Sequence, residues 1–430
     1  MKAKRIIAAL MAVLLILSLV ACGGSENNNG VDTPSVYWLN FKPELDGVLQ
    51  DLAAKYTKAK KIEVKVVTPE SGTYSATLAK ELNSDDPPTL FVLSNQHEVN
   101  EWNDYLTDLK DTSIAGQLRT DAYNLYGSDG KLAAIGYCYE CYGIVVNKEL
   151  VELLDFKLAD INNFESLKQA VEYIHNNASW LGFDAFASVD LGDENSWKYT
   201  AHLANLEYFY ESRDKGGWDS CPESLTGAYM SNYKSLYDLI INNSISKPEE
   251  SASSERDPDT EFKNKEAAFT LEGSWNYASI SESVPSAVMI PYYSGMEGEE
   301  MAGLNCGTEN YWAVNDKVSK EDIKATTDFM TWLVTDEEAS AALSEKLGAL
   351  PFKEAVKSEN GFLNNAASYT EKKCYVMDWA FNYQPNKEQY RADLVTALKA
   401  YNSDQSDEKW KAVESAFVDG WAKQYEASKE

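Results

Sequence analysis

The sequence predicts an α/β protein in which mainly parallel sheets are flanked by helices. Three observations carry this. Between Ser35 and Leu93 the hydrophobic pattern runs strand, helix, strand, helix, strand; a helix between strands returns the chain so that the next strand lies parallel to the last. Amphipathic helical patterns recur through the rest of the chain, separated by short apolar strand runs. The 430 residues exceed one ordinary domain, so two domains or one large bilobal unit are expected.

Each element has its own cue. Ser35–Leu39 is a short run of β-formers. From Glu44 onward Leu45, Val48, Leu49, Leu52, Ala53 and Tyr56 recur at three- and four-residue steps, one apolar face of a helix. Ile62, Val64 and Val66 alternate as a strand. Thr73–Leu82 is helical again, and Asp85-Asp86-Pro87 leads into the apolar strand Pro88–Leu93. Ser128-Asp129-Gly130 signals a turn before Ala133–Val146, which reads as one long strand. Helices are expected at Phe164–Ile174, Tyr229–Ile240 and Glu261–Phe269, with a polar surface loop at Ser246–Asp259. A strand at Val288–Tyr293, an acidic loop at Gly295–Gly303, a strand at Tyr311–Val314 and a helix at Lys320–Val334 follow. The remainder to Glu430 reads as mostly helical, and no dinucleotide or P-loop glycine pattern is present.

Composition narrows the function. Asp and Glu total 68 against 39 Lys and Arg, a formal charge of −29. Phosphate binding needs clustered cations, so nucleic acid is not an expected partner. His97, His175 and His202 are the only histidines and lie far apart, so no metal or other cofactor is expected. Eleven Trp and 26 Tyr supply many flat, amphipathic rings.

Lys2, Lys4 and Arg5 precede the apolar run Ile6–Val20, too short to span a bilayer comfortably and suited to a signal peptide. Leu19-Val20-Ala21-Cys22 followed by Gly23-Gly24-Ser25 resembles a bacterial lipobox. That resemblance implies removal of residues 1–21 and a diacylglyceryl group on Cys22; the alternative is an ordinary secretory signal with an incidental cysteine. Residues 22–34, polar and without periodicity, read as a tether. No other segment approaches 18 consecutive apolar residues, so the expected protein is anchored rather than spanning. The five other cysteines, odd in number and widely spaced, do not read as a disulfide framework. Cys138-Tyr-Glu-Cys141 is formally a CxxC, but its surroundings are strand-like, whereas a redox motif should open a helix.

Five stretches taken together resemble the extracellular solute-binding proteins of carbohydrate ABC importers, the maltose-binding-protein-like group. They are Tyr37-Trp38 through Tyr56; Ile135–Leu150 (IGYCYECYGIVVNKEL); Glu266–Ala278 (EAAFTLEGSWNYA); Cys306–Asn315 (CGTENYWAVN); and Phe329–Leu343 with its Thr335-Asp336-Glu337 junction. They stand in the family's order along nearly the whole chain. Cys138 and Cys141 depart from the family's usual residues, and Asn95-Gln96-His97 lacks a Trp common in the maltodextrin branch, which argues against a maltodextrin.

The resemblance implies a two-lobed, class II periplasmic-binding-protein-like fold with hinge strands between the lobes. The first lobe is expected at 35–138 and 288–334, the second at 139–287 and 335–430. It further implies a non-enzymatic, monomeric lipoprotein on the outer face of the cytoplasmic membrane of a Gram-positive-type bacterium. Its partners would be a neutral oligosaccharide and the permease subunits of the importer.

Sugars offer apolar faces and polar edges, so a site wants aromatic platforms with amides and carboxylates around them. Trp275, after Gly273-Ser274, matches the family's stacking position; Trp379 and Trp197, the latter in a polar loop, are further platforms, each with core filler as the alternative. Trp312, Trp332, Trp410 and Trp421 fall on strand or helix faces and read as core. Glu140 is a carboxylate inside an apolar strand, either a hinge salt bridge or a hydroxyl acceptor, and Glu309-Asn310 carries the same ambiguity. Asn40, Lys42, Asn95 and Gln96 occupy loops at strand ends, where α/β sheets bind ligands. Two other classes stay open: a secreted glycoside hydrolase, which would also have rings and paired carboxylates, and a binder of a peptide, amino acid or metal.

Overall fold

A computed structural model describes residues 33–430 except 71, 193–194, 219, 253–255 and 430. The signal segment, Cys22 and most of the tether lie outside the described residues.

Twelve strands among the described residues form two six-stranded sheets. In chain order they are β1 (Ser35–Leu39), β2 (Glu63–Val67), β3 (Leu90–Leu93), β4 (Asn124–Tyr126), β5 (Leu132–Gly136) and β6 (Glu140–Asn147). Then come β7 (Asp184–Phe186), β8 (Ala267–Gly273), β9 (Ala287–Ile290), β10 (Ala302–Gly307), β11 (Tyr311–Val314) and β12 (Tyr375–Asp378). The first sheet has the order β2-β1-β3-β11-β5-β4, the second β12-β10-β6-β8-β7, with β9 also paired to β6. Each sheet lies in its own large apolar core.

The opening alternation folds as expected. β1 pairs parallel with β2 and β3. Helix Asp46–Lys60 turns Leu49, Leu52, Ala53 and Tyr56 inward, the face its periodicity marked out. Its end is set by Lys61 in the left-handed region, φ 60°, whose N–H bonds back to Thr57.

Four expectations change. The sheets are mixed rather than mainly parallel, because β11 runs antiparallel to β3 and β5 and β6 antiparallel to β8, β9 and β10. The chain passes between sheets without a crossover helix, so nothing forces those strands parallel. The run 133–146 is two strands in different sheets, joined by Tyr137-Cys138-Tyr139. Both strands are fully buried, and the charged residue at the break, Glu140, is buried with them, so the apolar run does not reveal the change of sheet.

The expected helix Glu261–Phe269 is a short helix, Pro258–Lys263, followed by β8. Asp257 caps that helix on the Thr260 N–H with Pro258 in its first turn. All seven residues of β8 are buried between β6 and β7, and burial on both sides erases the alternation that reveals a strand. Sheet and core membership also differ from the expected lobe boundaries at 288 and 335. β9 and β10 belong to the second sheet, and Ala339, Leu343, Leu347, Leu350 and Phe352 to the first core. The chain therefore returns to the first lobe at β11, not β9, and stays through Ala355.

Candidate functional site

A cavity of about 890 Å3 lies between the lobes, beyond the ends of several strands. Phe41 and Lys42 enter it from the end of β1, Ser94 and Glu98 from the end of β3. The start of β6 brings Glu140, and the segment linking β10 to β11 brings Glu309 and Asn310. The second lobe brings Trp197, Lys198 and His202, then Glu272 and Trp275 at the end of β8, Trp379 after β12, and Lys387 and Arg391 from helix Lys387–Ser403.

Aromatic rings line the second-lobe side. The Trp197 and Trp275 centroids are 5.8 Å apart and inclined by 51°. His202 lies 5.6 Å from Trp275 and 5.0 Å from Trp379, and stacks on Tyr142 at 4.1 Å. Two glycines make room for these indoles. A Cβ on Gly273 would stand 2.3 Å from the Trp275 ring, and one on Gly307 2.8 Å from that of Trp379. Each ring is thus laid on bare backbone and held there. A π-helical turn, Lys198–Leu203, follows Trp197 and points Lys198, Ala201 and His202 at the cavity; such wide turns recur at functional sites. Facing them from the first lobe, Phe41 and Tyr74 meet edge to face at 5.3 Å.

The buried charges in the cavity come as partnered sets. Lys42 Nζ lies 2.9 Å from Glu140 and 3.5 Å from Glu44. The other Glu140 oxygen accepts from Asn310 Nδ2 at 3.0 Å. Burial pushes the Glu140 carboxyl up, against the pull of Lys42. For Lys42 burial works against the charge, but Glu140 and Glu44 outweigh it and hold the ammonium above the usual lysine range. Lys198 is bound at 2.8 Å to Glu272 and at 3.0 Å to Asp259. Burial lifts Glu272 to about 7 despite that lysine, whereas Lys198 overcomes the burial of Asp259 and keeps it below its ordinary value. Burial, then the nearby Arg391, Lys42 and Lys198, hold the His202 imidazole well below its usual range, so the ring is neutral. Across the cleft Lys387 donates to Ser94 and lies 2.8 Å from Glu98, and Arg391 lies 3.7 Å from Glu309.

Lys42, Glu140, Trp197, Trp275, Glu309, Asn310 and Trp379 are thus brought together by the fold. Asn40, Asn95 and Gln96 are not. Asn40 donates to the Lys42 carbonyl and Thr68 and accepts from the Lys42 N–H, so its amide braces the loop. Its neighbour Phe41 takes the cavity position instead. Asn95 caps helix Gln96–Glu101 on the Glu98 N–H, and Gln96 donates to Asn100 and the Tyr126 carbonyl. Local backbone demand consumes these short polar side chains before a ligand could. Trp197 stands not in an open loop but at the start of the π-helical turn. His202, Lys198, Glu272 and Lys387 also line the cavity, and the sequence does not single them out as site residues. Only Lys198, next to Trp197, carried a cue.

Solved structures share the fold. The solute-binding protein RafE in complex with raffinose aligns with TM-score 0.70 and 19% identity, over 91% of this chain and 100% of that one. A Bacillus licheniformis sugar transporter protein in complex with stachyose gives 0.66 and 16%, over 91% and 100%. A chitin oligosaccharide binding protein gives 0.68 and 15%, over 92% and 99%. No curated protein sequence matches the chain. The sequence profile of the family described as bacterial extracellular solute-binding protein matches residues 51–371, and with two lobes around a lined cleft the chain belongs to that family.

Proposed function

We propose that the cleft captures a neutral oligosaccharide and that the protein delivers it, as a lipid-anchored monomer, to the permease subunits of an ABC importer. The observation that carries this is the set of indoles Trp197, Trp275 and Trp379 around one cavity whose buried cations already have carboxylate partners. Rings cover the C–H faces of a sugar without charge. A phosphate or uronate would have to compete with Glu140, Glu272 and Glu98 for Lys42, Lys198 and Lys387. Raffinose, stachyose and chitin oligosaccharide in the names of structurally similar proteins support the same class of ligand.

Titration calorimetry against raffinose-type, starch-type and chitin-type oligosaccharides tests this reading. The expected result is saturable binding of at least one neutral sugar that is recovered intact. Shorter products would instead point to a glycoside hydrolase, and binding confined to anionic sugars would overturn the assignment. Attachment through Cys22 on the outer face of the membrane is checked by mass spectrometry of the membrane-extracted N-terminus, where a free terminus at another residue counts against it.

A further inference from the structure

Two of the chain's free cysteines face each other where both crossing segments enter the second sheet. β10 pairs antiparallel with β6 in the register Asn305 to Tyr142, Cys306 to Cys141 and Gly307 to Glu140. Residues directly opposite in an antiparallel pair point to the same side of the sheet, and Cys141 and Cys306 both enter one small core with Val145, Met289, Leu304 and Phe362.

The kind of pair is also fixed. The Cys141 N–H donates to Ser274 Oγ at 3.0 Å, on the β8 side of β6. A strand residue sends its N–H and C=O to the same side, so neither reaches toward β10. Cys141 and Cys306 are therefore a non-hydrogen-bonded pair, the close class with Cα atoms about 4.5 Å apart. That separation lies within the disulfide range of about 4.4–6.8 Å. Among the described residues Cys138 has no such neighbour. Its Sγ lies in the first-lobe core, 3.9 Å from Thr308 Oγ1.

We propose that Cys141 and Cys306 are a cross-strand disulfide site that ties β6 to β10 beside the hinge. Both are free thiols in this structure, and the Cys306 thiol donates to the Leu304 carbonyl at 3.5 Å. In the family's extracellular setting such a bond persists once made. The reaction is thiol–disulfide exchange with a donor disulfide. One thiolate attacks the donor to give a mixed disulfide and a donor thiolate; the second thiolate then displaces the remaining donor half. One S–S bond forms and one breaks, two electrons pass to the donor, and the two protons leave with its thiols.

The exchange belongs to folding. The folded side chains are 0% and 2% exposed. Burial pushes both thiols up, Cys306 to about 12, so the native protein presents almost no thiolate. The bond closes a long loop in the unfolded chain and stabilises the fold mainly by restricting that chain. It lies on the second-lobe side of 137–139 and 308–310, so those crossings keep their freedom to bend.

The test refolds reduced, denatured full-length protein with glutathione disulfide, against a reduced control. Alkylation under denaturing conditions and non-reducing peptide mapping then identify the pair. The expected result is a Cys141–Cys306 cross-linked peptide with Cys138, Cys221 and Cys374 alkylated. The unfolding midpoint should rise by about 5 °C over the reduced protein. C141S and C306S should each abolish both effects. Alkylation of all five of these cysteines after oxidative refolding, or a cross-link that joins Cys141 to Cys138, would overturn the proposal. Because mapping uses the unmodified chain, a variant that fails to fold does not obscure the answer.

Discussion

Lys42 and Lys198 look alike and do different work. Each is a buried ammonium held between carboxylates beside an indole of the cleft: Lys42 is 5.3 Å from the Trp275 ring centroid, Lys198 5.8 Å from that of Trp197. The partners of Lys198 all belong to the second lobe. Glu272, next to last in β8, has its other oxygen on the Gly273 N–H, and Asp259 also accepts from Asn276. Lys42 instead leaves the first sheet and reaches Glu140, the first residue of β6 in the second. One network builds a wall; the other ties two lobes at their hinge. Identical chemistry thus serves rigidity in one place and lobe arrangement in the other.

The sharpest way to break this comparison is to remove each cation. Deleting one partner of a buried ion pair costs about 3–5 kcal/mol, since the charge left behind has lost both water and partner. K198M should therefore lower unfolding stability by about that much and leave the radius of gyration of the folded protein unchanged. K42M should also destabilise, but small-angle scattering should show a shifted balance of open and closed forms. Equal losses of stability with no change in scattering from either variant would remove the distinction.

Glu207 shows what a buried carboxyl does when no lysine is supplied. It is 0% exposed, on helix Asn205–Asp214, and its near neighbour Glu211 is itself an acid that accepts from Thr226 and Gly227. Burial first, then Glu211, raise its pKa from the ordinary 4.5 to about 9. The folded state therefore binds a proton that the unfolded chain has released. This contribution to stability is full below about pH 4.5, declines as pH rises toward 9, and is flat beyond it. Between pH 6 and 8 the decline should amount to about 3 kcal/mol. E207Q keeps the hydrogen-bonding shape without the titration, so denaturant unfolding of that variant should lose this part of the pH dependence. An unchanged slope would mean that Glu207 is not the group responsible.

These contrasts also explain which parts could be read from sequence. Ser35–Leu39 and the helix beginning at Asp46 were legible because local pattern and tertiary role agree there. The break at Tyr137-Cys138-Tyr139 was not, because it arises from a change of sheet within an apolar run. In the site, Trp275 and Trp379 could be picked out as large rings near irregular backbone. Polarity points to Asn40 in its loop, whereas the loop uses that amide for itself and offers the Phe41 ring. His202 and Lys387 reach the cavity only through a π-helical turn and a helix far along the chain. No spacing in the sequence announces either.

Loss of a platform should be a smaller effect than loss of a buried charge, and confined to binding. W275A removes a half-buried ring that contacts Trp197, His202 and Tyr142. Affinity for the best sugar should fall by about 1–2 kcal/mol, roughly five- to thirtyfold. Calorimetry that finds it within twofold of the unaltered protein would show that the ring fills space rather than holds ligand.

The smallest expected effect comes from a charge pair of the cleft that solvent still reaches. Lys387 reaches from the second lobe to Ser94 and Glu98 of the first, with side chains 20% and 17% exposed for the pair Lys387–Glu98. Solvent screens this contact more than the Lys42–Glu140 pair, so its net worth should be about 0.5–1 kcal/mol. That energy exists only when the lobes are close enough for the contact, so its loss should favour the open form. For a ligand that must touch both lobes, the apparent affinity then falls with the closed fraction. K387A should weaken binding about two- to fivefold, with the unfolding midpoint unchanged and with added salt narrowing the gap from the unaltered protein. A lowered midpoint with unchanged affinity would place Lys387 with Lys198, as a brace rather than a tie between lobes.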